Sequence, residues 1–187
     1  MRDASAIALA GGRSERFGSD KALADFRGAP LLLAVVGALR AEFPEVLVVA
    51  KRAEPYAASG ARVVLDRAPL YTPLSGLEAG LAAASRDVVF CCAADMPFAV
   101  DALLLDALFA ALSGHDAAVP VHAGARQPLC ALYRRDPCLA AASALLAKSA
   151  VGPKRLLDSV RTAFVEWPDE RPFLDADTRE QLAKLDR

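Results

Sequence analysis

The chain has 187 residues and a net charge of −1, with 55% hydrophobic and 24% charged residues. A chain of this length is expected to form one domain that buries about 70% of the surface its unfolded form exposes, and its composition excludes intrinsic disorder. The near-neutral charge excludes a general polyanion-binding field, so neither nucleic acid nor membrane is expected as a partner and any phosphate binding must be local.

Residues 7–21 read Ile-Ala-Leu-Ala-Gly-Gly-Arg-Ser-Glu-Arg-Phe-Gly-Ser-Asp-Lys. A short apolar run fits a buried strand and stops at a glycine pair, where the backbone can turn and approach a ligand closely. Amide N–H groups bared by such a turn form an anion-binding concavity, to which Arg13, Arg16 and Lys21 add charge. Taken alone, these residues fit a tight strand-to-helix turn with solvated charges equally well.

Apolar spacing predicts a helix over 30–43, with Pro30 at its first position. Strands are predicted over 46–50, a β-branched run, and over 62–65. A proline-rich loop over 66–76 leads into a helix over about 75–84, with Ser75 as its N-cap. The next strand, 88–94, ends at Asp95-Met96-Pro97, and a helix over 101–112 starts at Asp101. Strands over 117–121 and 128–133 are joined by a short loop containing Gly124. Helical patterns follow over 137–148 and 153–160, then a strand over 162–167 and a helix over 177–185, where Asp177 and Glu180 have capping-box spacing.

Strands alternating with helices over the first ~115 residues predict βαβ units and a parallel sheet. The strands near 117–133 are too close for a crossover, so at least one runs antiparallel. The expected fold is a three-layer α/β domain over 1–187, Rossmann-like, with a mostly parallel sheet.

Cys91, Cys92, Cys130 and Cys138 form no C-x-x-C pair, and adjacent Cys91 and Cys92 point to opposite faces of a strand. They read as small core residues in a reducing cytosol. His115 and His122 read as surface residues, and Trp167 as core packing. No apolar run approaches the ~18 to 20 residues of a membrane span, and the N-terminal apolar stretch is too short for a signal peptide. A cytoplasmic location is expected.

In an open α/β sheet, ligands bind beyond the carboxyl ends of the strands. The 11–21 loop, Asp66 and Asp95 all fall at such ends. A carboxylate directly after a buried strand is held rigidly, which suits a Mg²⁺ ligand, although Asp95 also fits a cap ahead of Met96-Pro97. The loop has neither G-x-x-x-x-G-K-[ST] nor G-x-G-x-x-G, which disfavours a P-loop and a dinucleotide oxidoreductase.

Leu9-Ala-Gly-Gly12 followed by Ser14-x-Arg16-Phe-Gly18-x-Asp20-Lys21 resembles the signature of the molybdenum cofactor guanylyltransferase family of nucleotidyltransferases. The likeness continues through Gly28-x-Pro30-Leu31, Pro73-Leu-Ser-Gly76-Leu-x-Ala-Gly80-Leu and Cys92-Ala-Ala-Asp95-Met-Pro97. It runs on through Gln127-Pro128-Leu129-x-Ala131-Leu-Tyr133 and Phe173-Leu-Asp-Ala-Asp177-Thr178-x-Glu180-x-Leu182.

The resemblance implies GTP and Mg²⁺ as substrate and cofactor, with GMP transferred to the phosphate of molybdopterin or its molybdenum-loaded form and pyrophosphate released. It also implies molybdenum-insertion enzymes or apo-molybdoenzymes as partners. By the same resemblance Leu9, Ala10, Gly11 and Gly12 line the nucleotide, and Lys21 binds its phosphates. Asp66 and Gly76 hold the nucleoside, and Asp95 ligates Mg²⁺, with Asp175 as a candidate second oxygen. Lys21 and Arg16 stabilise the departing pyrophosphate, while Arg13 reads as surface charge. Lys154 and Arg155 are candidate acceptor contacts.

Two departures stand out. Relatives carry asparagine near the end of the second strand, where this chain has Val49-Ala50-Lys51-Arg52, and glycine where this chain has Thr72. The rival reading is a CTP-dependent cytidylyltransferase acting on the same or another small phosphorylated acceptor. Its relatives read Leu-Ala-Ala-Gly, so Gly11 favours GTP.

Overall fold

Strand β1 (Ser5–Leu9) is followed by a short 3₁₀ helix (Lys21–Leu23), a small hairpin of β2 (Asp25–Phe26) and β3 (Ala29–Pro30), and helix α1 (Leu31–Glu42). The computed structural model describes residues 1–10, 20–69, 71–149, 151–176 and 178–185. The chain then runs through β4 (Glu45–Ala50), a 3₁₀ helix (Glu54–Ser59), β5 (Arg62–Leu65), α2 (Pro73–Ala83), β6 (Val88–Ala93) and α3 (Ala102–Ala111). β7 (Ala117–His122), β8 (Ala125–Arg126), β9 (Cys130–Arg134), α4 (Arg135–Leu146), α5 (Pro153–Leu157), β10 (Thr162–Glu166) and α6 (Arg179–Leu185) complete it.

The main sheet has the order β10-β7-β9-β6-β1-β4-β5, with β8 paired to β7. β4, β5 and β6 join β1 through parallel pairings, β10 runs parallel to β7, and β9 is antiparallel to both β6 and β7. The hairpin between β7 and β8 turns at Ala123 and Gly124, with φ of 48° and 74°. Two consecutive left-handed residues suit the right-handed twist of the strands, and glycine takes the second at no steric cost.

Period-2 alternation along the strands divides the core between two faces. Ala6, Ala8, Val48, Phe90 and Cys92 meet Leu32, Val35, Val36 and Leu39 of α1 and Leu104, Leu105 and Leu108 of α3. Ile7, Leu47, Val49, Val89, Cys91 and Tyr133 face Leu74, Leu77 and Leu81 of α2, Cys138 and Ala142 of α4, and Leu156 and Leu157 of α5. Cys91 and Cys92 therefore lie on opposite faces, as their adjacency in the strand requires. All four cysteines are buried free thiols. Burial pushes the Cys92 and Cys138 thiols up to about 12, with the charge of Asp95 and of Asp116 respectively acting in the same direction. None of them is a nucleophile at neutral pH.

A third, smaller cluster joins Phe26 and Leu31 to Ala176 and Leu182, so the C-terminal segment returns across the start of α1. No helix among the described residues is long and apolar enough to cross a membrane.

Several predicted details change. Thr72, not Ser75, caps α2: its side chain accepts from Leu74 N and the helix begins at Pro73, where a missing N–H costs nothing. α5 stops at Leu157 rather than 160, because β10 starts at Thr162 and the intervening residues must turn back. The capping reading of Asp177 lies outside the described residues; Gln181 N donates to Thr178 Oγ1 at 3.1 Å. His115 and His122 are half-buried rather than surface residues; His122 is hydrogen-bonded through Nδ1 to the Trp167 carbonyl at 2.9 Å, with its ring centroid 5.7 Å from that of Phe173. Trp167 packs against the core as expected, with its indole N–H buried and unpaired.

Helix α2 approaches β1 so closely that a Cβ on Gly80 would lie 2.4 Å from Ile7 Cδ1 and 3.1 Å from its Cγ1 and Cγ2. Gly37 in α1 is exposed, with nothing within 4 Å of its missing Cβ. Gly80→Ala is expected to lower unfolding free energy by about 1–3 kcal/mol through overpacking, while Gly37→Ala raises it by about 0.5–1 kcal/mol. Urea denaturation of the two variants checks both signs.

Candidate active site

Parallel register sets where the site falls. Leu9 stands level with Val49 of β4 and Ala93 of β6, and Ala50 stands level with Leu65 of β5. The strands therefore end together; the residues just beyond β1, β4 and β5 are Ala10, Lys51 and Asp66, and Asp95 comes second after β6. The ladder carries on for one more step: Ala10 N donates to Val49 O at 2.8 Å, Asp66 N to Ala50 O at 2.9 Å and Ala94 N to Leu9 O at 2.9 Å. Polar side chains are thus planted on rigid backbone at one edge of the sheet.

Over this edge lies a cavity of about 940 Å³. Leu9, Ala10, Lys21, Asp66, Gly76, Asp95, Lys154, Arg155 and Asp175 all line it. Every predicted site residue that is described therefore belongs to one cavity. Gly11, Gly12, Arg13 and Arg16 lie outside the described residues.

At the centre, Lys21 Nζ sits 2.5 Å from Asp95 Oδ2, with 21% and 14% of the two side chains exposed. Lys21 opens the short 3₁₀ helix capped by Asp20, whose Oδ1 accepts from Ala22 N at 3.2 Å. Asp95 stands two residues past the end of β6, behind Ala94 whose N–H still bonds to β1, and its carbonyl accepts from Ala176 N at 3.2 Å, which brings Asp175 into the same cavity. A partly desolvated ammonium–carboxylate pair facing open volume provides one group for anionic oxygens and one for cations.

At one end, Asp66 is 7% exposed. Its Oδ2 lies 2.8 Å from Lys51 Nζ and accepts from Ser75 Oγ at 2.7 Å, and its Oδ1 accepts from Ala68 N at 3.0 Å. Lys51 also donates to the Ala68 carbonyl at 2.7 Å and lies 5.1 Å from the Tyr71 ring centroid. A buried carboxylate needs such partners, since an uncompensated charge there is costly. Gly76 lets α2 close over this end: a Cβ there would lie 3.3 Å from Leu9 Cδ2.

At the other end, the β8–β9 turn brings in Arg126, Gln127, Pro128 and Leu129. Buried Tyr133 donates its hydroxyl to the Pro128 carbonyl at 2.6 Å, which explains the five-residue spacing between them. Arg126 is held by Asp158 at 2.7 Å and lies 4.6 Å from the Phe164 ring centroid. Lys154 and Arg155 reach the cavity from α5, and Thr72 Oγ1 donates to Val151 O at 2.7 Å, tying the α2 and α5 starts together.

Sequence reasoning missed Lys51 as a partner of Asp66, although both occupy the first position after consecutive parallel strands. It also missed Tyr56, which bonds to Asp20 from a segment with no periodic signal.

The mostly parallel sheet carries a charged cavity at its carboxyl edge, and the family match shows the class: a nucleotidyltransferase. The family profile described as the MobA-like NTP transferase domain matches residues 6–164. The molybdenum cofactor guanylyltransferase of Burkholderia lata is 36% identical over 97% of this chain and 94% of that protein. Among solved structures, molybdopterin-guanine dinucleotide biosynthesis protein A from Archaeoglobus fulgidus aligns with a TM-score of 0.81 at 20% identity, covering 97% of this chain and 96% of that one. 2-C-methyl-D-erythritol 4-phosphate cytidylyltransferase from Thermus thermophilus aligns at 0.73 and 21% identity, covering 99% and 98%; both structural likenesses speak to the fold alone. The chain belongs to the MobA-like nucleotidyltransferases, in the molybdenum cofactor guanylyltransferase family.

Lys51→Ala leaves Asp66 buried without its cation. A loss of about 1–3 kcal/mol in unfolding free energy is expected by urea denaturation; an unchanged midpoint would show that the pair carries no stability.

Proposed function

We propose that this protein transfers GMP from GTP to the phosphate of molybdopterin or of its molybdenum-loaded form, releasing pyrophosphate. The observation that carries the reading is the Lys21–Asp95 pair at the centre of one cavity. That cavity also holds Asp66, Gly76, Lys154 and Arg155. Two phosphorylated substrates have to meet at one phosphorus atom, and a shared cavity of about 940 Å³ accommodates both.

A phosphate oxygen of the acceptor forms a bond to the α-phosphorus of GTP, and the bond from that phosphorus to the oxygen bridging to the β-phosphate breaks. The attacking group belongs to the substrate, so no protein nucleophile is required. Protonated thiols and the lack of any other activated nucleophile among the described lining residues agree with that. What the protein contributes is alignment and charge neutralisation.

Lys21, freed from Asp95, places its ammonium on the β- and γ-phosphate oxygens and stabilises the charge that builds on pyrophosphate. Arg16 is assigned to the same charge. Leu9, Ala10, Gly11 and Gly12 line the nucleotide, and Asp66, held by Lys51 and Ser75, orients the nucleoside beside Gly76. Lys154 and Arg155 receive the anionic acceptor.

The donor set fits Mg²⁺, which takes oxygen ligands, commonly one or two carboxylates together with substrate phosphates. Asp95 would hold it, with Asp175 as a second oxygen in the same cavity, and a Lys21 ammonium already rests against the Asp95 carboxylate. When bound, the ion supplies positive charge to phosphate oxygens.

The cytidylyltransferase reading is favoured by likeness of fold alone, whereas the Burkholderia lata relative, at 36% identity, is named a molybdenum cofactor guanylyltransferase. Isothermal titration in Mg²⁺ is expected to show binding of GTP and little of CTP; the reverse preference would overturn the choice of nucleotide. Lys21→Ala and Asp95→Ala are each expected to slow pyrophosphate release from GTP plus molybdopterin by about 10²-fold or more. Near-normal turnover in either would remove that residue from the mechanism.

A further inference from the structure

Tyr56 and Asp20 form a contact that the reaction above does not use. The Tyr56 hydroxyl donates to Asp20 Oδ2 at 2.5 Å, from a side chain only 3% exposed. The other carboxylate oxygen of Asp20, Oδ1, caps the short 3₁₀ helix by accepting from Ala22 N, and the Asp20 carbonyl accepts from Leu23 N at 3.1 Å. One residue thus joins two segments: the turn that carries Lys21, and the Glu54–Ser59 helix in the β4–β5 crossover. Tyr56 belongs to the core face built on α1 and β4, so its hydroxyl is fixed by packing. Burial first, and then the bond to Asp20, push its phenol well above the usual value against an opposing pull from Arg52. The phenol therefore keeps the proton it donates across the neutral range.

The consequence concerns Lys21. Its ammonium sits at the end of a flexible four-carbon stem, so where it reaches depends on how its backbone is held. While the Lys21–Asp95 contact stands, Asp95 restrains the ammonium directly. Once Lys21 turns to phosphate that restraint is lost, and the hold has to come from a contact that does not involve the ammonium. Asp20, the residue immediately before it, has such a contact.

We infer that Tyr56, through Asp20, is a positioning residue that holds Lys21 on the β- and γ-phosphates of the bound nucleotide. This rests on the assignment of Lys21 to those phosphates. Tyr56 touches no reacting atom. It fixes the capped turn from behind, while the Lys21 side chain exchanges one partner for another.

The test compares GTP with GMP, which lacks the two phosphates that Lys21 is assigned to. Tyr56→Phe removes one hydroxyl and keeps the ring; Asp20→Asn replaces one of the two accepting oxygens with an amide. Titration of each variant in Mg²⁺, with GMP measured by displacement, is expected to show GTP bound about tenfold more weakly and GMP unchanged. The double variant is expected to lose no more than the worse single one, because both changes cut the same contact. Equal weakening of GTP and GMP would mean that Tyr56 only supports the cavity as a whole, and an unchanged GTP affinity would mean that the contact does nothing for Lys21; either result overturns the inference. Lys21→Ala is the control. If it leaves the preference for GTP over GMP intact, the assignment of Lys21 fails and the inference fails with it. If Lys21→Ala removes that preference while Tyr56→Phe and Asp20→Asn keep it, the inference alone fails. Should Tyr56→Phe not fold, the GTP-to-GMP ratio of Asp20→Asn decides by the same criteria.

Discussion

The parallel register of β1, β4, β5 and β6 is the constraint from which the rest follows. Because Leu9, Val49 and Ala93 are level, and Ala50 is level with Leu65, the first polar residues beyond the strands share one edge. That edge has to be open, since the helices that bury the two faces of the sheet leave its carboxyl end uncovered. Close approach of α2, permitted by Gly76 and Gly80, then shapes one wall of the cavity. The site is a product of packing on β1 as much as of its own polar residues.

Three of the cations that line the cavity are paired. Lys21 meets Asp95, Lys51 meets Asp66 and Arg126 meets Asp158. A partly desolvated carboxylate without a cation would be costly, so the pairing keeps the site stable before substrate arrives. The two central pairs differ in what they can do next. Asp66 is almost enclosed and bonded on both oxygens, so the Lys51 pair is a fixed support. The Lys21–Asp95 pair faces the cavity, and its members have separate tasks: an anion for the ammonium, a cation for the carboxylate. In the proposed function, opening this one contact prepares both.

Much of this was legible in the sequence. Continuous β-branched runs and sharp stops marked the strands, and the short 117–133 connection required an antiparallel member, which is β9. Asp66 and Asp95 were visible because each follows such a stop. What was not legible depends on contacts between distant segments. Lys51 stood out only as a departure from the family pattern; its partner emerges from the register of β4 against β5. Tyr56 lies in a 3₁₀ segment without periodicity, and its bond to Asp20 spans 36 positions. Ser75 reads as a cap because it precedes an apolar run, whereas Pro73 at the first helical position assigns the cap to Thr72. Ser75 instead supports Asp66, a role that needs the fold to be seen.

The most direct measurement is a crystal structure of the protein with GTP and Mg²⁺. The Lys21–Asp95 contact is expected to be broken, with Lys21 on the β- and γ-phosphates, Asp95 on the metal and the nucleoside lying between Asp66 and Gly76. A nucleotide bound elsewhere, with Lys21 still against Asp95, would contradict the central claim that this pair is the working centre of a nucleotidyltransferase.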